Sequence, residues 1–191
     1  MTRDADLARA TFAEAAAVIG ALADDRAAAT AEAADLIRAA LAAGHKVLAF
    51  GNGGSATDAE HLAAELVGRF RVDRPGLAAV ALTADSAVVT SVSNDYGFDQ
   101  VFARQVEALG RPGDVAVALT TSGASRNVNA ALETARARGL RTVGLTGRDG
   151  GDTAALVDVH VNVPSDDTAR VQEAHRVVLH VVCQLVETAR A

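Results

Sequence analysis

The sequence contains no tryptophan, one cysteine, one tyrosine and three prolines among its 191 residues. Because Cys183 has no second cysteine to pair with, the chain forms no internal disulfide and no cysteine-based zinc cluster, and a reducing cytoplasm is its expected compartment. Charges interrupt the first ten positions, where a secretory signal would be apolar, and no stretch approaches the roughly 18 uncharged residues of a membrane span. We therefore expect a soluble protein with no membrane partner.

Positive charge is also scarce, because 18 Lys and Arg stand against 24 Asp and Glu and leave a formal net charge of −6. The basic residues form no run, so a general nucleic-acid surface, which needs a positive field, is not expected. Half of the residues are apolar but only 3% are aromatic. The sequence therefore predicts a folded core of closely packed small-residue helices and β-branched strands.

Residues 4–43 combine many alanines with Leu, Ile, Val and charged side chains. This composition predicts two helices that are separated near residues 23–30 and end before Gly44. Their alanine-rich surfaces allow close packing, either against the rest of the chain or against a second copy. We interpret residues 1–44 as a helical extension of a single domain that spans residues 1–191.

From Lys46 onward, short apolar runs alternate with helical stretches. The first four runs are almost continuously apolar, as expected for parallel strands that helices cover on both faces. The predicted strands span residues 46–51, 77–82, 114–120, 141–146 and 157–163. The helices that follow them are predicted near residues 55–69, 84–93, 98–109, 125–138 and 167–189. The sequence therefore predicts an α/β three-layer sandwich with a five-stranded parallel sheet and N-terminal helices.

A glycine-rich loop, GNGGS at residues 51–55, follows the first predicted strand. Ligands of parallel sheets bind at the carboxyl ends of the strands, and glycine N–H groups beside a helix N-terminus favour an anion. Ser55, or a capping box formed by Thr57 and Glu60, is predicted to start the next helix. The alternatives are an ordinary tight turn and a dinucleotide site, although the second predicted strand ends in Leu82, Thr83 and Ala84 and not in the acidic residue that a dinucleotide site needs at that strand tip.

A second loop, TTSGAS at residues 120–125, follows the third predicted strand. Its hydroxyl groups and the N-terminus of the next helix would hold a phosphate without a lysine, while a capping loop with no ligand is the alternative. Two loops of this kind at equivalent places on one sheet favour a phosphorylated small molecule as the ligand.

Two pairs of side chains are candidates for the chemistry. His61 and Glu65 lie four residues apart, hence on one helix face, where a carboxylate removes a proton and an imidazole donates one or binds a metal; an ordinary surface pair is the alternative. Gln172 and His180 lie on the last predicted helix, where they are either functional or part of a solvated face. Eight residues separate this pair by about 12 Å along a helix, so we expect different subunits to supply them to one small site.

Several of these segments together resemble the phosphoheptose isomerases, which belong to the sugar isomerase (SIS) domain superfamily. The segments are GNGGSATDAEHLAAELVGRF (51–70), SNDYGF (93–98), TTSGAS (120–125) and TARVQEAH (168–175), followed by His180. The resemblance implies a flavodoxin-like SIS fold and a homotetramer with active sites between its subunits. The implied reaction converts sedoheptulose 7-phosphate to D-glycero-D-manno-heptose 7-phosphate, the first step toward a nucleotide-activated heptose.

The resemblance also implies a role for individual residues, with Glu65 as the base and His180 as the acid. The implied substrate-binding residues are Asn52, Gly53, Gly54, Ser55, Glu65, Asn94, Asp95, Thr120, Thr121, Ser122, Ser125 and Gln172. One zinc ion per subunit would be bound by His61, Glu65, Gln172 and His180. Ala124 stands where members of the family often have Asn, and Ala169 where some have an acidic residue, so the side-chain contacts of the family do not carry over to these positions.

Two other functions stay open at this point. The central region, from RPGLAAVAL to LTGRDGG, also resembles a SIS protein that binds the bacterial replication initiator, which would make the chain a non-catalytic binding module. That homologue lacks counterparts of Glu65 and His180, both of which are present here. A different sugar-phosphate isomerase would share the site but not the substrate.

Overall fold

Residues 2–188, which the computed structural model describes, alternate between helices and the strands of one parallel sheet. The elements are α1 (Arg3–Asp25), α2 (Ala27–Ala42), β1 (Val47–Gly51), α3 (Gly54–Val67), β2 (Ala79–Ala81), α4 (Ser86–Tyr96), α5 (Ala103–Leu109), β3 (Val115–Thr120), α6 (Arg126–Ala137), β4 (Arg141–Gly147), β5 (Val159–Val163) and α7 (Thr168–Thr188). Short 3₁₀ helices span Phe98–Gln100 and Asp152–Leu156. All five predicted strands are present, and Arg26 separates the first two helices, as predicted.

One predicted helix differs from the observed structure. The helix expected over residues 98–109 is divided into the 3₁₀ turn Phe98–Gln100 and α5, because Val101 and Phe102 turn the chain between them. The predicted end of the last helix at residue 189 lies outside the described residues.

The strands are ordered β2-β1-β3-β4-β5, and every neighbouring pair is parallel. Val47 of β1, for example, lies opposite Ala79 of β2 on one side and Val115 of β3 on the other. This is the flavodoxin-like order, in which the chain leaves β1 and β3 in opposite directions. The carboxyl ends of β1 and β3 therefore border the crevice where a ligand is expected.

Helices cover both faces of the sheet, which explains the continuous apolar runs of the central strands. Val47 and Ala49 belong to the apolar cluster formed with α2, α3 and α7, whereas Leu48 and Phe50 belong to the cluster formed with α5 and α6. The predicted three-layer α/β architecture is confirmed. Within the described part of the chain, no helix is both long enough and apolar enough to span a membrane.

The N-terminal helices pack against their own chain, since α1 and α2 both contact α7. Helix α3 also contacts α7, and the two helices run parallel. Residue numbers increase in the same direction along both helices: Gln172 contacts Gly54, Arg176 contacts Asp58, and His180 contacts His61. This pairing places residues that are more than 110 positions apart in the sequence along one seam.

Candidate active site

The glycine-rich loop connects the carboxyl end of β1 to α3. A Cβ atom at Gly51 would lie 2.7 Å from the carbonyl oxygen of Leu119, and Gly53 adopts a φ of +58°, so both positions require glycine. Gly53 is the N-cap of α3, and no side chain of the described residues caps the helix. The loop therefore presents a helix N-terminus that suits an anionic ligand.

The predicted start of α3 at Ser55 or at a capping box is wrong. Ser55 is buried inside the helix, and the hydroxyl of Thr57 donates to the carbonyl oxygen of Gly54 at 2.7 Å. Glu60 accepts a hydrogen bond from a threonine outside the helix at 3.0 Å instead of returning to the N-terminus. The chain enters the helix through the left-handed conformation of Gly53, so the turn is made by a glycine and not by a capping side chain.

The hydroxyl-rich loop connects β3 to α6 and is held firmly in place. The hydroxyls of Thr120 and Ser125 are 3.0 Å apart, and the hydroxyl of Ser122 accepts from a backbone N–H two residues on at 3.2 Å. A Cβ atom at Gly123 would lie 2.0 Å from the Gly150 carbonyl oxygen, so only glycine fits there. Thr120 is buried, whereas Thr121, Ser122 and Ser125 are partly exposed. Ser125 precedes α6 without a side-chain capping bond, so this helix N-terminus also faces the loop.

The two loops are joined by a pair of side-chain amides. Asn52 and Asn127 donate to each other's side-chain oxygen, at 2.9 Å in both directions. Asn127 is buried at the start of α6, and sequence reasoning missed it because 75 residues separate it from its partner. The pair fixes the glycine-rich loop beside the hydroxyl-rich loop, as expected if both line one ligand site.

Three predicted residues converge further along α3 and α7. The Nε2 atom of His61 lies 3.3 Å from Oε1 of Glu65 and 2.9 Å from Nε2 of His180. Each of the three residues is partly exposed, and their ligand atoms all lie within 4.8 Å of one another. We call these three side chains the acid–base cluster. One chain is sufficient to bring Glu65 and His180 together.

An ion pair that the sequence did not reveal borders the acid–base cluster. Arg176 lies 2.6 Å from Oδ1 of Asp58, whereas Oδ2 of Asp58 is buried and has no hydrogen-bond partner among the described residues. Burial raises the pKa of Asp58 against the opposing effect of Arg176. Partial burial and then the positive charge of Arg176 lower the pKa of His61, which favours a neutral imidazole.

Gln172 lies at the other end of the seam between α3 and α7. Its side-chain amide packs so closely on Gly54 that a Cβ atom there would lie 2.4 Å from the amide nitrogen. Since Gln172 and His180 are eight residues apart on one continuous helix, about 12 Å separates them along its axis. The single chain therefore brings Gln172 to the glycine-rich loop and not to the acid–base cluster.

Asn94 and Asp95 lie at the C-terminal end of α4, where both are exposed. The side-chain amide of Asn94 donates to Oδ1 of Asp95 at 2.8 Å. Among residues 2–188, no side-chain hydrogen bond or ion pair joins Asn94 or Asp95 to the acid–base cluster or to the two loops. Their role in substrate binding stays a prediction.

The acid–base cluster has the composition of a metal centre. Zinc in catalytic sites is bound by imidazole nitrogens and carboxylate oxygens at about 2.0 to 2.2 Å, with three protein ligands and one open position. Two imidazoles and one carboxylate, partly exposed and within 4.8 Å of one another, fit this ligand set. His61, Glu65 and His180 therefore suit a divalent transition metal.

Comparisons with known proteins find relatives along most of the chain. The sequence matches the SIS domain family over residues 11–147. A phosphoheptose isomerase from Geobacter sulfurreducens is 58% identical over 154 residues, which cover 81% of this chain and 82% of that protein. The structure of phosphoheptose isomerase GmhA from Neisseria gonorrhoeae has a TM-score of 0.91 at 45% identity and covers 96% of this chain and 98% of that one. The phosphoheptose isomerase structure from Francisella tularensis has a TM-score of 0.94 at 37% identity, over 98% of this chain and 100% of that one.

Proposed function

The chain belongs to the phosphoheptose isomerases, SIS-domain enzymes of heptose biosynthesis, and we propose that it converts sedoheptulose 7-phosphate to D-glycero-D-manno-heptose 7-phosphate in the cytoplasm. The observation that carries the proposal is the acid–base cluster, in which Glu65 and His180 lie together beside His61. A non-catalytic binding module would leave that arrangement without a use.

The glycine-rich loop and the hydroxyl-rich loop bind the substrate. Hydroxyl groups of Thr120, Thr121, Ser122 and Ser125, together with the N-terminus of α6, bind the phosphate. Asn52, Gly53, Gly54, Ser55, Asn94, Asp95 and Gln172 complete the proposed substrate contacts. Holding the phosphate fixes the sugar so that its reacting carbons face Glu65, a positioning effect worth up to about 7 to 11 kcal/mol in model reactions.

The reaction moves one proton between neighbouring carbons. Glu65 removes a proton from C1 of the ketose, the electron pair of that C–H bond forms the C1=C2 bond, and His180 donates a proton to the former carbonyl oxygen. Glu65 then returns its proton to C2 while His180, now deprotonated, takes the proton of the C1 hydroxyl, which becomes the aldehyde. The product therefore has the same atoms as the substrate, and both residues regain their starting states.

We further propose that His61, Glu65 and His180, with Gln172 from a neighbouring subunit, hold one zinc ion per subunit. When bound, zinc would polarise the substrate oxygens and stabilise negative charge on them. Because a carboxylate that binds a cation is less basic, the two roles of Glu65 compete. Activity that survives complete chelation would assign the metal a stabilising role and not a catalytic one.

We also propose a homotetramer in which neighbouring subunits complete each site. The separation of Gln172 from the acid–base cluster and the isolation of Asn94 and Asp95 support this proposal. Co-expression of two impaired variants, Glu65→Gln and Gln172→Ala, tests it. Shared sites predict that mixed oligomers regain part of the activity, whereas sites within one subunit predict none.

The decisive assay incubates the purified chain with sedoheptulose 7-phosphate and follows the aldose by NMR. Pentulose and hexulose phosphates serve as parallel substrates, because another sugar-phosphate isomerase would favour one of them. Turnover of the heptulose phosphate above the others supports the proposal. Absence of turnover, together with identical behaviour of Glu65→Gln, would refute it.

Replacing Gly54 with alanine is expected to raise KM roughly five- to tenfold, with a smaller effect on kcat. The new Cβ atom would displace the amide of Gln172, and loss of one hydrogen bond to the substrate costs about 1 kcal/mol. Gly20→Ala is the control, since a Cβ atom at Gly20 in α1 meets nothing within 4 Å. Steady-state kinetics of both variants provide the measurement, and an unchanged KM in Gly54→Ala would argue against a substrate role for Gln172.

A further inference from the structure

The segment that follows α3, residues 68–74, folds back over α7 and is held by one buried carboxylate. Glu187 accepts hydrogen bonds from the backbone N–H groups of Phe70 and Arg71, both at 2.9 Å, and of Val72 at 3.1 Å. Its side chain is only 2% exposed. Burial raises the pKa of Glu187, but the three backbone N–H groups and Arg74 outweigh that effect and lower it, so the carboxylate is charged.

Arg74 connects this carboxylate to the last turn of α3. Its Nε atom donates to Oε1 of Glu187 at 3.1 Å, and its terminal nitrogens donate to the carbonyl oxygens of Glu65 and Leu66, both at 2.8 Å. Helix-end carbonyls have no partner within their own helix, so a buried guanidinium satisfies them and fixes where the helix ends. One of these carbonyls belongs to Glu65, the proposed base.

The same segment also contacts the proposed acid. The Phe70 ring lies 5.3 Å from the imidazole of His180, centroid to centroid, with 31° between the planes. Glu187 follows His180 by seven residues, about two helical turns, and therefore lies on the same face of α7. Arg74 thus binds the backbone of Glu65, and Glu187 binds the backbone of the residue whose ring packs on His180.

We propose that Glu187 and Arg74 are positioning residues that hold the base on α3 in register with the acid on α7. This inference rests on the proposed function of Glu65 and His180. A buried ion pair contributes little net stability compared with well-packed apolar residues, whereas breaking one leaves an uncompensated charge. The pair matters because it fixes the positions of the reacting groups, since a displacement of about 1 Å at a reacting group can lower the rate by 10²-fold.

The test compares Glu187→Gln and Arg74→Lys with a control that loses an equivalent contact elsewhere. Asp114 is a carboxylate with 2% side-chain exposure that accepts from the backbone N–H groups of Lys46 and Arg111 and pairs with the Lys46 side chain at the amino ends of β1 and β3. Asp114→Asn is expected to lose stability and keep the parent kcat. Arg74→Lys retains a positive charge but loses the planar guanidinium that donates to the carbonyl oxygens of Glu65 and Leu66. This variant therefore tests the positioning role even if Glu187→Gln does not fold.

We expect kcat to fall about 10- to 100-fold in both test variants. KM should change less than about twofold, because the two phosphate-binding loops lie at the carboxyl ends of β1 and β3, whereas residues 68–74 lead into the amino end of β2. The ring signals of His61 and His180 in ¹H–¹³C NMR spectra should shift in the test variants but not in Asp114→Asn. Parent-like kcat and histidine signals in Arg74→Lys would overturn the proposal. If the parent chain turns over no ketose phosphate, the proposed function fails, and the histidine signals alone still decide the positioning role.

Discussion

Replacing Glu65 with glutamine is expected to lower kcat for the isomerisation by about 10²- to 10⁴-fold, the usual contribution of a positioned general base. Glutamine keeps the shape of the side chain but has no basic oxygen, so the acid–base cluster loses the group proposed to remove the C1 proton. The Glu65 side chain is 20% exposed and lies 3.3 Å from Nε2 of His61, so we expect the variant to fold.

Glu60→Gln is the matched control for this prediction. Glu60 makes the same change of charge on the same helix, but it is exposed and contacts the hydroxyl of Thr83. Steady-state kinetics are combined with calorimetric titration of the sugar phosphate, because the variant should still bind substrate through the two loops. A Glu65→Gln enzyme within tenfold of the parent kcat would remove the carboxylate from the mechanism.

The fold was predictable because its signals are local. Each central strand is a short apolar run ended by small polar residues, and the boundaries of β3 and β4 lie within one residue of those predicted. The division between α1 and α2 was also predictable from composition. The start of α3 was not, since Thr57 and Glu60 have the spacing of a capping box while a glycine with positive φ makes the turn.

The site was predictable only where its residues are close in sequence or match a known family. His61 and Glu65 share a face through their spacing of four, and the structure confirms their contact at 3.3 Å. Asn127 and Glu187 carry no local signal, because their partners lie 75 and more than 110 residues away. The sequence does not reveal that Glu187 binds the backbone of residues 70–72, because that contact is visible only once the fold is known.

Acidification is expected to destabilise the fold through His175, a histidine outside the acid–base cluster. His175 is completely buried on α7; its Nε2 atom lies 3.0 Å from the Thr146 carbonyl oxygen, and Nδ1 has no partner among the described residues. Burial lowers the pKa of His175 to about 4, although the hydrogen bond to Thr146 acts in the opposite direction. The folded protein therefore keeps this imidazole neutral.

The sign of the effect follows from proton uptake. Between the unfolded pKa of 6.5 and the folded pKa of about 4, the unfolded chain binds a proton at His175 and the folded chain does not. The free energy of unfolding therefore falls as the pH decreases through this window, by about 2 to 3 kcal/mol at pH 4.5. Three carboxylates with lowered pKa values also reduce the free energy of unfolding on acidification, starting near their ordinary pKa values of 3.8 to 4.5; they are Asp114, Asp158 and Glu187. The lowered pKa values of His61 and His160 act in the same direction as that of His175.

Comparison with His175→Gln isolates this contribution. Glutamine retains a nitrogen that donates to the Thr146 carbonyl but does not titrate, so the difference in unfolding free energy between parent and variant should change by about 2 to 3 kcal/mol between pH 7.5 and 4.5. Urea unfolding at one fixed protein concentration measures it, because any association would add its own concentration dependence. Val178→Ala on the same buried face of α7 should lower stability equally at both pH values. Identical pH slopes for the parent and His175→Gln would mean that the folded state accommodates a charged imidazole at this position, which a buried Nδ1 without an acceptor does not allow.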